Sequence, residues 1–245
     1  MSFSYSAVWE DTMRMVRANA ALLAPVAGAM LFLPAALIAL LFPEPAGENP
    51  ATLFRELGDY FAGIWHWLAL RALIGMIGTA AILRLVLVPG TKVADALGFG
   101  VRALPFYFLV SLLSGLAIGF GFLLLIVPGL YLIGRLVAAA PVLVAEGQGP
   151  IAAIRGSFRL SEGKGWAVLG LVMVVGLVGA LAAGMAATVS GSILILAAGR
   201  ETGMAVNAIV SAGLDTAFGV LLLLLYAAIY RALAAAKSGL AGTFE

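Results

Sequence analysis

The sequence predicts an all-α membrane protein, a polytopic bundle of six transmembrane helices with amphipathic interfacial helices and both termini in the cytoplasm. Three observations support this fold class. Hydrophobic residues make up 63% of the 245-residue chain and charged residues 11%, far from the composition of soluble globular domains. The apolar residues fall in six long runs, and the short segments between them carry most of the charges. Basic residues also collect in every second segment, which orients the bundle.

A transmembrane helix needs about 20 mostly apolar residues, because it must satisfy its own backbone hydrogen bonds across a hydrocarbon core of roughly 30 Å. Pro128 and Gly129 separate the third apolar run from the fourth and predict a tight hairpin. The fourth run is the shortest, and the sequence leaves open whether it crosses completely or re-enters on the same side. The predicted spans are 20–42, 61–88, 105–127, 130–145, 166–189 and 205–234.

The distribution of lysine and arginine predicts the orientation, since these residues are retained on the cytoplasmic side. The opposite side offers Arg55 and Arg200 together with an acidic loop over 43–59. Both termini are therefore expected in the cytoplasm. The basic residues on the predicted cytoplasmic side are Arg14, Arg17, Lys92, Arg102, Arg155, Arg159, Lys164 and Lys237.

Three amphipathic segments, 1–19, 92–104 and 150–161, each lead into a predicted span. Their apolar residues recur at helical spacing on one face, which predicts helices that lie on the cytoplasmic leaflet. For 1–19 the same pattern also fits a helix packed on the protein's own loops. We accordingly divide the chain into an N-terminal interfacial helix, 1–19, and a six-span membrane domain, 20–245.

Three ionisable residues, Arg71, Arg135 and Asp215, lie well inside predicted spans. An ionisable group in hydrocarbon costs at least about 2.5 kcal/mol and usually faces a partner or a wet cavity. Counting about 1.5 Å per residue from the span ends gives the three residues comparable depths, so we predict an intramembrane polar cluster. One interpretation is an ion pair that locks two spans together. The other is a polar cavity in which an arginine binds a phosphate or carboxylate headgroup.

The predicted cytoplasmic loop between the fourth and fifth spans is a second candidate site. Its basic residues can contact phospholipid headgroups or a cytoplasmic partner. The alternative is that they only anchor the topology, with the carboxylate at the end of the fourth span paired locally to an arginine. The residues of this candidate contact are Glu146, Arg155, Ser157, Arg159 and Lys164.

The region 128–170 contains a series of eleven residues at characteristic spacing: Gly129, Tyr131, Leu132, Arg135, Pro141, Glu146, Ala153, Ser157, Leu160, Gly163 and Trp166. In this series the region resembles the glycerophosphoryl diester phosphodiesterase membrane-domain family and the related YciC-like bacterial inner-membrane proteins. The C-terminal stretch 224–233 is similar to the end of the family's last span, through Tyr226 and Arg231. This resemblance implies a membrane domain without the catalytic barrel, located in the bacterial cytoplasmic (inner) membrane.

The residues argue against an enzyme. The glycerophosphodiesterases to which the resemblance points hold a metal with several carboxylates and a pair of histidines on a barrel domain, whereas this chain has one histidine, His66, and no cysteine. We therefore predict no catalytic residues, no metal site and no cofactor. Two functions remain: a structural, membrane-shaping or partner-binding component, or a lipid or amphiphile transporter with a polar intramembrane site. The expected partners are membrane lipids, with a membrane protein or a second copy of the chain as further candidates, and no nucleic acid.

Overall fold

A computed structural model of the chain describes residues 3–45 and 52–241, with side chains as far as Lys237. Within these residues the protein is helical throughout and has no strand. Residues 46–51 of the predicted acidic loop and both chain ends lie outside the described residues. The seven helices are α1 (Tyr5–Leu41), α2 (Leu53–Leu87), α3 (Val93–Leu124), α4 (Ile126–Glu146), α5 (Pro150–Leu160), α6 (Gly165–Ala198) and α7 (Arg200–Ala241).

Six of these helices, all except α5, are long and apolar enough to cross a membrane. The shortest of them, α4, has 21 residues, and α6 has 34. A helix of 34 residues is about 51 Å long at 1.5 Å per residue, so it projects beyond the hydrocarbon core or tilts within it. The predicted all-α, multi-pass membrane fold is confirmed.

Helix α1 differs from the prediction of a separate interfacial helix over 1–19. The helix begins after Ser4, whose side chain accepts a hydrogen bond from the backbone N–H of Ala7, and runs to Leu41 with a single π-helical turn at Gly28–Phe32. The π turn lies between Pro25 and Pro34, neither of which can donate a backbone hydrogen bond. The first span and the N-terminal segment are therefore one helix.

Part of the apolar face of the N-terminal segment packs on protein. Val8, Thr12 and Met15 are buried, and α1 contacts α2 and α7. An ion pair of 3.5 Å between Asp11 and Arg231 joins α1 to α7 at the same end. Trp9 stays exposed on the same segment, so contact of this segment with the cytoplasmic leaflet stays a prediction.

The two other predicted surface helices have different outcomes. Segment 92–104 continues into the third span as α3, and Pro105 lies inside this helix without ending it. Segment 150–161 forms the separate helix α5, as predicted. However, α5 buries Ala153 and Gly156 and packs mainly on α4, so its apolar face also covers protein.

The predicted hairpin between the third and fourth spans is present, but it turns earlier in the chain. Leu125 is the extended residue between α3 and α4, with φ −164° and ψ 155°. Pro128 then falls in the first turn of α4, where a missing backbone N–H costs no hydrogen bond. Gly129 packs directly against Phe122 and Gly121, which brings the two helices close together.

The hydrophobic core lies in the half of the bundle nearest the predicted cytoplasmic ends. Its largest fully buried side chains include Ile82, Leu83, Leu224 and Ile229. Towards the other end, which we call the predicted outer end, packing is sparse: over residues 53–77, all of them described, α2 buries one residue, Ile64. Helix α2 therefore packs loosely towards the predicted outer end, whereas α6 and α7 stay in contact there, with Gly203 of α7 against Ile195 of α6.

Candidate functional site

The loose packing of α2 leaves a groove at the predicted outer end. The groove lies between the second half of α1, the middle of α2 and the first half of α7, and its volume is about 1270 Å³. Apolar side chains such as Leu31, Ile38 and Leu68 form much of the wall. The polar residues farther inside are Arg71, Thr79, Asn207, Ser211, Asp215 and Thr216.

The polar side of the groove consists of two stripes, one on α2 and one on α7. Because residues four apart lie on the same face of a helix, each stripe follows one face. The α2 stripe is Arg71, Gly75 and Thr79, and the α7 stripe is Asn207, Ser211, Asp215 and Gly219. The two glycines widen the groove, since a Cβ at Gly75 meets only Leu31 Cδ2 at 3.7 Å and one at Gly219 meets no atom within 4 Å.

Contacts with α1 set the relative heights of the two stripes. Gly78 of α2 lies beside Met30, and Gly213 of α7 lies beside Phe32. Since α1 is antiparallel to both helices, Asp215 lies at about the height of Gly78. Arg71 is seven residues farther towards the predicted outer end, which is about 10 Å along the bundle axis.

Arg71 and Asp215 both face the groove, as the cavity interpretation predicts. Both side chains are exposed. Among the described residues, neither of the two makes an ion pair or a hydrogen bond, either with the other or with a third residue. The ion-pair interpretation of these two residues therefore does not hold in this structure, and two opposite charges remain available on the two walls.

Acidic side chains stand at the mouth of the groove. Glu44, which follows α1, and Glu201, at the start of α7, both line it near the predicted outer end. The sequence of charges from the mouth inward is thus acidic, then basic at Arg71, then acidic at Asp215. Arg71 is the one cationic residue among the described residues that line the groove, and it lies between carboxylates. The groove is therefore polar but does not attract anions strongly.

The inner end of the groove is closed. Beyond Thr79 and Gly219, the next residues of α2 and α7 belong to the hydrophobic core, where Ile82, Leu83 and Leu224 are fully buried. A molecule in the groove can therefore enter from the predicted outer end or sideways from the membrane, and cannot pass through this conformation.

Arg135 does not belong to this site, so the predicted cluster of three is wrong in including it. Its Nη1 donates to the carbonyl oxygen of Ser161 at 3.0 Å, and its guanidinium lies 5.1 Å from the ring centroid of Phe158. The depth prediction assumed that α4 starts a straight crossing at the hairpin. In the structure α4 instead packs on the start of α6, with Gly134 against Gly165, and this brings Arg135 to the turn between α5 and α6.

Ser157, predicted as a headgroup contact, is completely buried. Its Oγ donates to the carbonyl oxygen of Arg135 at 2.6 Å, and the Oγ of Ser161 donates to the carbonyl oxygen of Ser157 at 2.6 Å. The first bond ties α5 to α4 and the second caps the end of α5, so the role of Ser157 is structural. The sequence pattern around it indicated a surface helix, and a serine on such a helix gives no signal of burial.

The other members of the cytoplasmic set stay at the surface. Arg155 and Arg159 are exposed and Lys164 is half-buried. Glu146 accepts hydrogen bonds from Tyr230 at 3.2 Å and from Gln148 at 2.7 Å, in place of the local arginine pair expected. The basic residues remain free to contact lipid headgroups.

Within the part of the chain that the structure describes, no group of three or more His, Cys, Asp or Glu residues is arranged to hold a metal ion. His66 is exposed on α2 with its ring 6.0 Å from that of Trp65 and 5.4 Å from that of Trp67. This aromatic group lies on the outer half of α2, where interfacial side chains are expected.

Comparisons with family models, curated proteins and solved structures find no match to this chain. The resemblance of 128–170 to the phosphodiesterase membrane-domain family therefore stays a prediction.

The polar stripes were not recognised from the sequence, although a signal for them exists. Asn207, Ser211 and Asp215 recur every four residues in an otherwise apolar span, as do Arg71 and Thr79 with a glycine between them. A polar face at helical spacing within a span indicates a side turned away from lipid.

Proposed function

We propose that this chain is a non-catalytic, multi-pass protein of the bacterial inner membrane that binds a lipid or another amphiphile in the groove between α1, α2 and α7. The observation that carries the proposal is the pair of facing polar stripes, in which Arg71 and Asp215 have no partner among the residues that the structure describes. An unpaired ionisable group at membrane depth is costly, and such residues usually mark a substrate or ion pathway.

The composition of the wall supports an amphiphile over a wholly polar solute. One side of the groove carries charges and hydroxyls, while Leu31, Ile38 and Leu68 form an apolar surface beside them. A ligand with a polar end and a hydrocarbon chain satisfies both surfaces, because pockets bind through apolar area and fix orientation with a few polar groups. A small soluble ion would leave the apolar wall in water.

The closed inner end supports one state of a transport cycle, open outward and shut inward. Ile82, Leu83 and Leu224 would have to separate before the ligand could continue to the other side. The positive-inside distribution supports the assignment of the open end to the outer side. The other function predicted from the sequence, a structural or partner-binding component, is favoured if the groove holds nothing.

A binding titration with two matched glycine variants tests the proposal. Gly219 lines the groove and Gly170 lies on α6 outside it, and a Cβ at either position meets no atom within 4 Å. Gly219→Leu should fill part of the groove. Crowding of a well-filled site costs about 1–3 kcal/mol, which is about fivefold to 150-fold in Kd. Gly170→Leu should bind as the natural chain does.

The assay is titration of the purified protein in detergent micelles with a dansyl-labelled phospholipid, read by energy transfer from the protein's tryptophans. Saturable binding that Gly219→Leu weakens and Gly170→Leu preserves supports the groove. Unsaturable transfer, or equal Kd values for the two variants, contradicts it. Size-exclusion profiles of both variants serve as the control for folding.

A further inference from the structure

We infer that the groove selects a zwitterionic amphiphile, one whose polar end carries both an anionic group and an ammonium group. This inference rests on the proposed function and names the class of ligand. Its basis is that Arg71 and Asp215 have opposite charges, lie on opposite walls, and have no partner among the described residues.

An anionic amphiphile satisfies only half of this site. Its headgroup can pair with Arg71, but Asp215 then stays unpaired, and Glu44 and Glu201 at the mouth repel the approaching anion. Charges interact more strongly in a low-dielectric groove than in water, so both the gain and the repulsion are enlarged there. Repulsive elements of this kind give specificity by disfavouring the wrong ligand.

A cationic amphiphile has the reverse difficulty. The carboxylates at the mouth attract it and Asp215 can pair with it, but the guanidinium of Arg71 lies along the route between them. An uncompensated charge in a partly desolvated site is strongly unfavourable. Attraction at the mouth therefore does not extend to stable binding.

A zwitterionic headgroup satisfies both walls. The guanidinium of Arg71 can donate two parallel hydrogen bonds to a phosphate or carboxylate. An ammonium has three donors, which Asp215 and neighbouring hydroxyls such as Ser211 and Thr216 can accept. The two residues differ in height by about 10 Å, so a headgroup that contacts both lies along the groove, with its anionic group nearer to the predicted outer end and its ammonium farther inside.

Competition among three lipids with identical acyl chains tests the inference. The competitors for the dansyl-labelled probe are phosphatidylethanolamine, which is zwitterionic, phosphatidylglycerol, which is anionic, and a diacyl trimethylammonium propane, which is cationic. We expect phosphatidylethanolamine to compete at least about tenfold better than either singly charged lipid, since a charged hydrogen bond contributes a factor of this order. Equal competition by all three lipids overturns the inference.

Two neutral variants test the role of each charge. Asp215→Asn should remove the advantage of phosphatidylethanolamine over phosphatidylglycerol, and Arg71→Gln should remove its advantage over the cationic lipid. If both variants keep the selectivity of the natural chain, the two charges do not determine which headgroup binds, and the inference fails. Should either variant not fold, the selectivity of the natural chain alone still decides the matter.

The outcomes separate this inference from the proposed function. If no amphiphile binds saturably, the proposed function itself fails. If all three lipids bind equally and Gly219→Leu weakens all of them, the groove is an amphiphile site without charge selection. Glycerophosphoethanolamine, the same headgroup without acyl chains, completes the series: competition as strong as that of the lipid would mean that the ligand is a soluble zwitterion and would overturn the amphiphile assignment.

Discussion

The substitution Gly100→Ala tests the close packing of α3 on α2, the helix that forms one wall of the groove. A Cβ at Gly100 of α3 would lie 2.6 Å from the carbonyl oxygen of Ile77 in α2 and 3.1 Å from its Cγ2. Because the nearest atom belongs to the backbone, a change of rotamer cannot relieve the clash. The two helices must move apart, in the region where Ala80 and Ala81 are fully buried.

The expected effect follows from two opposing terms. Forcing an extra methyl group into a packed contact costs about 1–3 kcal/mol. Replacing a helical glycine by alanine returns roughly 0.5–1 kcal/mol through backbone entropy. At Gly98 on the same helix, a Cβ meets only Arg102 Nη2 at 3.8 Å, so Gly98→Ala keeps the gain without the clash. The free energies of unfolding of the two variants should therefore differ by about 1–3 kcal/mol.

The assay is unfolding of both variants and the natural chain in one detergent, followed by tryptophan fluorescence during titration with sodium dodecyl sulfate. We expect the free energy of unfolding to be highest for Gly98→Ala, intermediate for the natural chain and lowest for Gly100→Ala. Equal stability of the two variants would refute the close approach of α2 and α3 at this point.

Two further predictions concern single side chains. Ser157→Ala removes the buried hydrogen bond to the Arg135 carbonyl oxygen and should lower the free energy of unfolding by about 1–2 kcal/mol. The exposed Ser192→Ala should change it by less than about 0.5 kcal/mol, and equal losses in the two variants, read by the same unfolding titration, would argue against the buried role. In the cysteine-free chain, Ser211→Cys should react with a membrane-impermeant maleimide added to the predicted outer side of oriented vesicles, whereas the buried Ala228→Cys should not. Labelling of Ser211→Cys from the opposite side alone would reverse the orientation.

The number of membrane helices was predictable because span length and apolar composition are local properties of the sequence. Where a helix stops was less predictable. The segments 1–19 and 92–104 have an apolar face in either environment, and tertiary packing against α7 and α2 decides that they continue into the spans. Pro105 was predicted to begin the third span, yet it lies inside α3, which starts at Val93.

The candidate site was predicted in part. Arg71 and Asp215 were predicted because an ionisable residue in an apolar span is energetically costly and usually has a functional or structural role. The structure brings both residues to one groove. Arg135 met the same criterion, but its depth was counted from one end of a helix whose packing on α6 was unknown. The prediction that Ser157 contacts headgroups was wrong for a similar reason, because the burial of α5 against α4 depends on contacts between residues distant in sequence.

A cryo-EM structure in lipid nanodiscs would show directly whether the groove holds a ligand. We predict that α2 and α7 stay apart at the outer end, with an amphiphile in the groove and its polar end between Arg71 and Asp215. If instead the groove is closed, with the guanidinium of Arg71 paired directly to the carboxylate of Asp215 and no lipid between them, the two charges only hold the helices together and the binding function is contradicted.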